Sequence, residues 1–126
     1  MFDRLFNQSA APVLERSAAF YGARHALLAE NIVNLSTPGY RQKDLDEAGF
    51  RAELRRRMDR RRADGTGAAF EAVEPEDTLV FHDGNNRNVE QLMSDQAKNA
   101  LQHNLAVELL RKQYALFDLA LRERLA

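Results

Sequence analysis

The sequence predicts a mostly α-helical protein. A long N-terminal helix and a long C-terminal helix pair as a coiled-coil-like hairpin, with an irregular or small β middle region between them. Three observations predict this class. Both ends of the chain carry residues suited to packing at alternating spacings of three and four. Leu, Ala, Arg and Glu dominate the composition, and these residues favour helices. The middle of the chain breaks the pattern with a Pro-Gly turn, a run of arginines and a glycine-containing stretch.

Length and composition limit the domain organisation and the kinds of binding site that the chain can have. The chain has 126 residues, which predicts a single domain over 1–126. It carries 18 Lys and Arg against 19 Asp and Glu, and this balance argues against a surface that binds nucleic acid throughout. The absence of cysteine excludes disulfides and thiolate metal sites. The first seven residues, MFDRLFN, lack the pattern of a cleaved signal peptide, so any export is expected to use another route.

The chain divides into an N-terminal segment 1–12, a helix 13–35, a middle region 36–88 and a helix 89–124. The first helix has one stripe at heptad spacing. Gly22 lowers helix propensity by about 1 kcal/mol relative to alanine, so it either marks a close helix approach or is merely tolerated. The stripe consists of Leu14, Ala18, Tyr21, His25, Leu28, Ile32 and Leu35.

A turn ends the first helix. Asn34 tolerates the left-handed conformation that often terminates helices. Thr37 precedes a proline and is therefore disfavoured in the α region. Pro38 and Gly39 suit the two central positions of a type II turn, which needs a positive φ at the glycine. Tyr40 then begins an extended segment.

The middle region is predicted to have little regular structure. Seven arginines fall between Arg51 and Arg62, and the stretch 64–69 reads DGTGAA, which is typical of a linker. Four acidic residues lie in Glu71–Asp77. The run Thr78–Phe81 favours a short strand, and Asp83–Asn86 favours a turn.

The last helix carries two apolar stripes. Together they are wider than one partner helix can cover, so the sequence predicts further packing partners. The first stripe is Met93, Gln96, Ala100, His103, Val107, Leu110, Tyr114, Phe117 and Leu121. The second is Leu92, Leu101, Leu105, Leu109, Leu116 and Leu119.

The string Ala29–Tyr40, AENIVNLSTPGY, resembles the N-terminal signature of the bacterial flagellar axial proteins, the rod, hook and hook-associated family. Val33 stands where the family usually has alanine. The short chain, the start MFDRLF and the turn DGNNRNVE before the last helix are similar to proximal-rod members, although Arg87 replaces their usual valine. The signature residues are Asn31, Asn34, Thr37, Pro38, Gly39 and Tyr40.

The resemblance implies a structural subunit of the basal-body rod, which spans the periplasm, and not an enzyme. It implies export by the flagellar type III apparatus without a cleaved signal. The implied partners are other rod subunits, basal-body components, the export apparatus, and copies or homologous subunits that pack through the helices. No cofactor, metal or small-molecule substrate is implied. The expected assembly seam is Leu14, Ala18, Tyr21, Leu28, Ile32, Leu35, Val107, Leu110, Tyr114, Phe117 and Leu121.

Other candidate sites have weaker support. His25 and His103 lie on the two helical stripes and are either a metal-binding or pH-sensitive pair or ordinary packing residues. Two histidines are too few for a zinc site. Asp44, Asp46 and Glu47 are close carboxylates without a predicted pocket, so no catalytic residue is assigned. The arginines of 51–62 are either solvated, paired with acidic residues of this chain or a neighbour, or the site of an alternative function, nucleic-acid binding.

Overall fold

A computed structural model of the chain describes residue 4 and residues 9–59, 70–72 and 89–125. Three helices lie within residues 9–59 and 89–125: α1 over Ala11–Val33, α2 over Glu47–Asp59 and α3 over Val89–Leu125. The helices predicted over 13–35 and 89–124 correspond to α1 and α3, and their ends differ by no more than two residues. Pro12 lies in the first turn of α1, where its missing N–H has no helical partner to lose.

Helix α2 shows that the predicted irregular or small β middle region is wrong. Its residues are mostly good helix formers, and the described ranges contain no β-strand. Asp46 caps the helix, because its Oδ1 accepts a hydrogen bond from the Gly49 N–H at 3.0 Å. A Cβ at Gly49 would collide with that carboxylate, so glycine suits the cap. The strand predicted over 78–81 and the turn over 83–86 lie outside the described residues.

The two long helices, α1 and α3, pack side by side. Asn99 Nδ2 donates a hydrogen bond to the Tyr21 carbonyl at 2.8 Å. Further along, the Tyr114 hydroxyl donates to the Glu15 carboxylate, and this hydrogen bond raises the pKa of Tyr114 to about 12. Residue numbers rise along α3 as they fall along α1, so the helices run antiparallel.

The main cluster of buried apolar side chains lies between α1 and α2. The Phe20 and Phe50 rings stack with centroids 4.0 Å apart, and Phe70 packs edge-on against Phe20 at 5.2 Å. The Arg16 guanidinium lies 4.1 Å from the centre of the Phe70 ring, a cation–π geometry. The aromatic cluster therefore holds α2 and Phe70 against the first half of the hairpin.

Gly22 lies against α3 but is not required by the packing. A Cβ added there would lie 3.5 Å from His103 Cε1, an ordinary van der Waals distance. We expect Gly22→Ala to raise the free energy of unfolding by about 0.5–1 kcal/mol, because alanine has the higher helix propensity. Urea denaturation followed by circular dichroism measures this change. The exposed neighbour Ala23 supplies the control, since Ala23→Gly should lower stability by a similar amount. A destabilised Gly22→Ala variant would contradict the distances seen here.

Candidate functional site

The C-terminal end of α1 is closed by the side chain of Asn34. The Asn34 N–H and Nδ2 both donate to the Glu30 carbonyl, at 3.1 and 2.9 Å. Its Oδ1 accepts a hydrogen bond from Thr37 Oγ1 at 3.2 Å, and its carbonyl accepts one from the Thr37 N–H at 3.0 Å. Asn34 has φ −96°, so it does not adopt the left-handed conformation that the sequence suggested. The helix ends through side-chain hydrogen bonds instead.

The turn after Asn34 has the geometry predicted for Pro-Gly. The Tyr40 N–H donates to the Thr37 carbonyl at 3.2 Å, which closes a four-residue turn. Gly39 has φ +76°, a conformation that residues with a Cβ rarely adopt. Pro38 and Gly39 lie exposed at the tip, while Tyr40 is half-buried. The turn therefore reverses the chain and directs Tyr40 back towards α1.

Asn31 fastens the returning chain to α1. It is 2% exposed, and its Nδ2 donates to the Lys43 carbonyl at 2.6 Å. Its Oδ1 accepts hydrogen bonds from the Lys43 N–H at 3.1 Å and from the Tyr40 hydroxyl at 3.0 Å. Burial, together with the charge of Glu30, raises the pKa of Tyr40. One amide side chain thus pairs with both main-chain groups of Lys43, as a neighbouring strand would.

Replacement of Asn31 is expected to release this segment. Asn31→Ala removes three hydrogen bonds and leaves polar groups of Lys43 and Tyr40 without their partner, so the free energy of unfolding should fall by about 2 kcal/mol. Chemical denaturation measures the loss, and hydrogen exchange at Lys43 locates it. Asn104→Ala is the matched control, because Asn104 is exposed on α3 and should change stability by less than about 0.5 kcal/mol. Equal effects of the two variants would contradict the role given to Asn31.

Arg24 fixes the next part of the chain, the entry to α2. Its Nε and Nη2 donate to the two carboxylate oxygens of Asp44 at 2.8 and 2.9 Å, and its Nη1 donates to Glu47 at 3.0 Å. The Arg24 side chain is 11% exposed. Its hydrogen bond to Asp44 raises the pKa of Arg24 further, although burial acts in the opposite direction. Asn31 and Arg24 together determine where the chain leaves α1 and how α2 docks.

The sequence did not indicate these buried ion pairs. Arg16 also lies buried and donates to Glu53 at 3.3 Å, and Glu53 in turn pairs with Arg57 one turn along α2. The spacing of four between Glu47 and Arg51, and between Glu53 and Arg57, is a helix signal that could have located α2. The distant partners Arg16 and Arg24 could not be assigned without the fold.

The residues of the predicted assembly seam differ in how deeply they are buried. Residues of the seam that are buried are Tyr21, Leu28 and Phe117. Those that are half-buried are Leu14, Ala18, Ile32, Leu35, Val107 and Leu110. Tyr114 and Leu121 are exposed, each at 40%. Much of the seam is therefore already covered within one chain.

The second apolar stripe of α3 is largely uncovered. Leu92 is buried, but five leucines of this stripe are between 40% and 72% exposed. At 100° per residue, these leucines lie on average about 120° around α3 from its buried residues. We call the set Leu101, Leu105, Leu109, Leu116 and Leu119 the outer leucine face. A row of exposed leucines along one helix is typical of a surface that another helix covers.

The two histidines that lie on the helical stripes differ in burial. His103 is half-buried against Gly22, whereas His25 is exposed. Among the described residues, no three His, Asp or Glu side chains form a group that could hold a metal ion. Likewise, none of α1, α2 and α3 combines the length and apolar character needed to cross a membrane.

Comparison with known proteins gives one informative similarity. No protein-family model matches the chain. The chain is 29% identical over 105 residues to the flagellar basal body rod protein FlgB of Yersinia enterocolitica. The alignment covers 69% of this chain and 74% of the relative. This distant similarity to a rod protein agrees with the resemblance carried by Ala29–Tyr40.

Proposed function

We propose that this chain is a structural subunit of the bacterial flagellar basal-body rod, in its proximal part, and has no enzymatic activity. The observation that carries the proposal is the signature Asn31–Tyr40, whose residues form one hydrogen-bonded unit at the end of α1. The similarity to the rod protein FlgB supports the same function. Export by the flagellar type III apparatus, and a place in the rod that spans the periplasm, belong to this proposal.

The geometry suggests how such a subunit is built into a shaft. The α1–α3 hairpin presents the outer leucine face, which neighbouring copies or other rod subunits cover. Burial of a fully exposed leucine contributes about 1.5–3 kcal/mol, and each of these five leucines, 40–72% exposed, would contribute a corresponding fraction towards association. The turn Thr37–Tyr40 and the ion pairs of Arg24 hold α2 to one side of the hairpin. Partners thus meet a helix surface of fixed shape.

A deletion strain of the source bacterium tests the proposal. We expect it to lack complete rods in electron micrographs of basal bodies and to be non-motile, and we expect the intact gene to restore both. Complementation with Leu105→Lys and Leu109→Lys together should fail, because two charges on the outer leucine face oppose its burial. Asn104→Lys and Ala115→Lys together, two lysines at exposed positions of α3 about 90° away from the outer leucine face, should still complement. Intact rods in the deletion strain would refute the proposal.

Nucleic-acid binding is a second candidate, favoured by one observation. Arg55 and Arg56 are exposed on α2, and Arg60–Arg62 continue the basic run in the sequence. Arg51 and Arg57, in contrast, pair with acidic residues of the same helix. Titration of a random DNA duplex at increasing salt separates the candidates, since phosphate contacts give affinity that falls steeply with salt. A rod subunit should bind weakly, and Arg55→Ala with Arg56→Ala should change little.

A further inference from the structure

The contact between α1 and α3 contains polar side chains at its centre. Asn99 is 0% exposed, and only its Nδ2 has a partner, the Tyr21 carbonyl. Asn99 Oδ1, Gln96 Oε1 and His103 Nδ1 are buried without a protein partner. Gln96, Asn99 and His103 lie at spacings of three and four, on one side of α3. We call these three residues the polar layer.

A polar layer is a poor source of stability, because buried polar atoms without partners cost free energy. Apolar side chains of similar volume would stabilise the helix pair more. In paired helices, however, a single buried asparagine can restrict the partners to one register, because other registers leave its amide against apolar groups. The free-energy cost of the polar layer is therefore explained if these residues fix the register of α3 along α1.

The polar layer meets α1 at Tyr21 and Gly22. The Tyr21 carbonyl accepts from Asn99, and the His103 ring lies beside the adjacent Gly22. One heptad away in either direction, the same face of α1 carries Leu14 and Leu28. A slip of α3 by seven residues would thus break the hydrogen bond to Tyr21 and move Asn99 towards one of these leucines.

We propose that Asn99 is a positioning residue that sets the register between α1 and α3, assisted by Gln96 and His103. The inference concerns pairing within one chain and stands independently of the rod proposal. Without Asn99, the heptad stripes of the two helices would still face each other when α3 is displaced by one heptad, because both stripes repeat every seven residues. The polar layer removes that ambiguity at the expense of stability.

Spin-label distances measure the register directly, because the chain has no cysteine of its own. Ala23→Cys and Lys112→Cys place two labels at exposed positions offset by about 20 Å along the helix pair, so a shift along the axis changes the distance between them. A heptad slip displaces them by about 10 Å along the helix axis. We expect a single narrow distance in this parent. Asn99→Leu should give a second population, or a clearly broader distribution, together with an equal or higher thermal midpoint.

Asn104→Leu in the same labelled parent is the control, since Asn104 is exposed and should leave one distance. A single parental distance in Asn99→Leu would overturn the proposal. Asn99→Ala is measured together with Asn99→Leu, because the smaller alanine side chain cannot overpack the contact between α1 and α3. Loss of helix in both Asn99 variants would also overturn the proposal, because Asn99 would then serve folding and not alignment. The deletion strain tests the rod function, and the spin-label distances test the register role of Asn99. A failure of one proposal can therefore be told from a failure of the other.

Discussion

Phe20→Ala is expected to lower the free energy of unfolding by about 4 kcal/mol, the largest effect of any single substitution considered for this chain. Phe20 is 1% exposed and touches three other aromatic rings, those of Tyr21, Phe50 and Phe70. Alanine would leave a cavity where α1 meets α2, and rings fixed by their own backbones would refill it only in part. Urea denaturation followed by circular dichroism measures the loss.

Leu116→Ala provides the contrast to Phe20→Ala. Leu116 is 59% exposed on the outer leucine face, so in the isolated chain its truncation should change stability by less than about 1 kcal/mol. The difference between the two losses in free energy of unfolding distinguishes residues that stabilise the fold from residues that are available to contact partners. Similar losses would mean that the outer leucine face is already covered in the isolated chain, which would contradict its role as an assembly surface.

Arg24→Met is expected to lower the free energy of unfolding by about 3 kcal/mol. Removing Arg24 leaves the Asp44 carboxylate, which is 20% exposed, without its partner, whereas Glu47, which is 29% exposed, keeps its ion pair with Arg51. The partial exposure of the acids places the expected loss at the low end of the range for buried pairs. Denaturation gives the magnitude. Hydrogen exchange should show faster exchange in α2 than in α3, because Arg24 holds the start of α2.

Two variants test the explanation of the Arg24 effect. Arg111→Met removes an ion pair with Glu108 whose side chains are 71% and 59% exposed, and it should cost less than about 0.5 kcal/mol. Adding Asp44→Asn to Arg24→Met should recover part of the loss, since a neutral amide needs no counter-charge. If this double variant were less stable than Arg24→Met, the uncompensated charge of Asp44 would not be the cause.

The turn at Pro38 and Gly39 could be predicted because its determinants are local. Pro38 restricts its own backbone, Gly39 permits a positive φ, and both act within four residues. The long helices could be predicted for the same reason, since heptad spacing is read directly from the chain. What Asn31 binds was not predictable, because its partner Lys43 becomes adjacent only after the turn has formed.

Helix α2 was missed because its arginines suggested a solvated, irregular segment. Arginine is a good helix former, and the segment also contains Ala, Leu, Met and Glu, so local propensity did favour a helix. The decisive features are tertiary. Phe50 stacks on Phe20, and Arg16 and Arg24 of α1 bind acids at or near α2. The position of α2 is therefore set by residues 20 or more positions earlier in the chain.

The anchoring of Phe70 makes the length of the preceding segment nearly irrelevant to the fold. Asp59 ends α2 and Phe70 lies on the same aromatic cluster, so both ends of 60–69 are attached to one small body. The entropy of joining two fixed points of a chain grows only with the logarithm of the number of residues between them, and doubling that number costs about 0.6 kcal/mol. An epitope or fluorescent reporter inserted between these anchors should therefore leave the helices undisturbed.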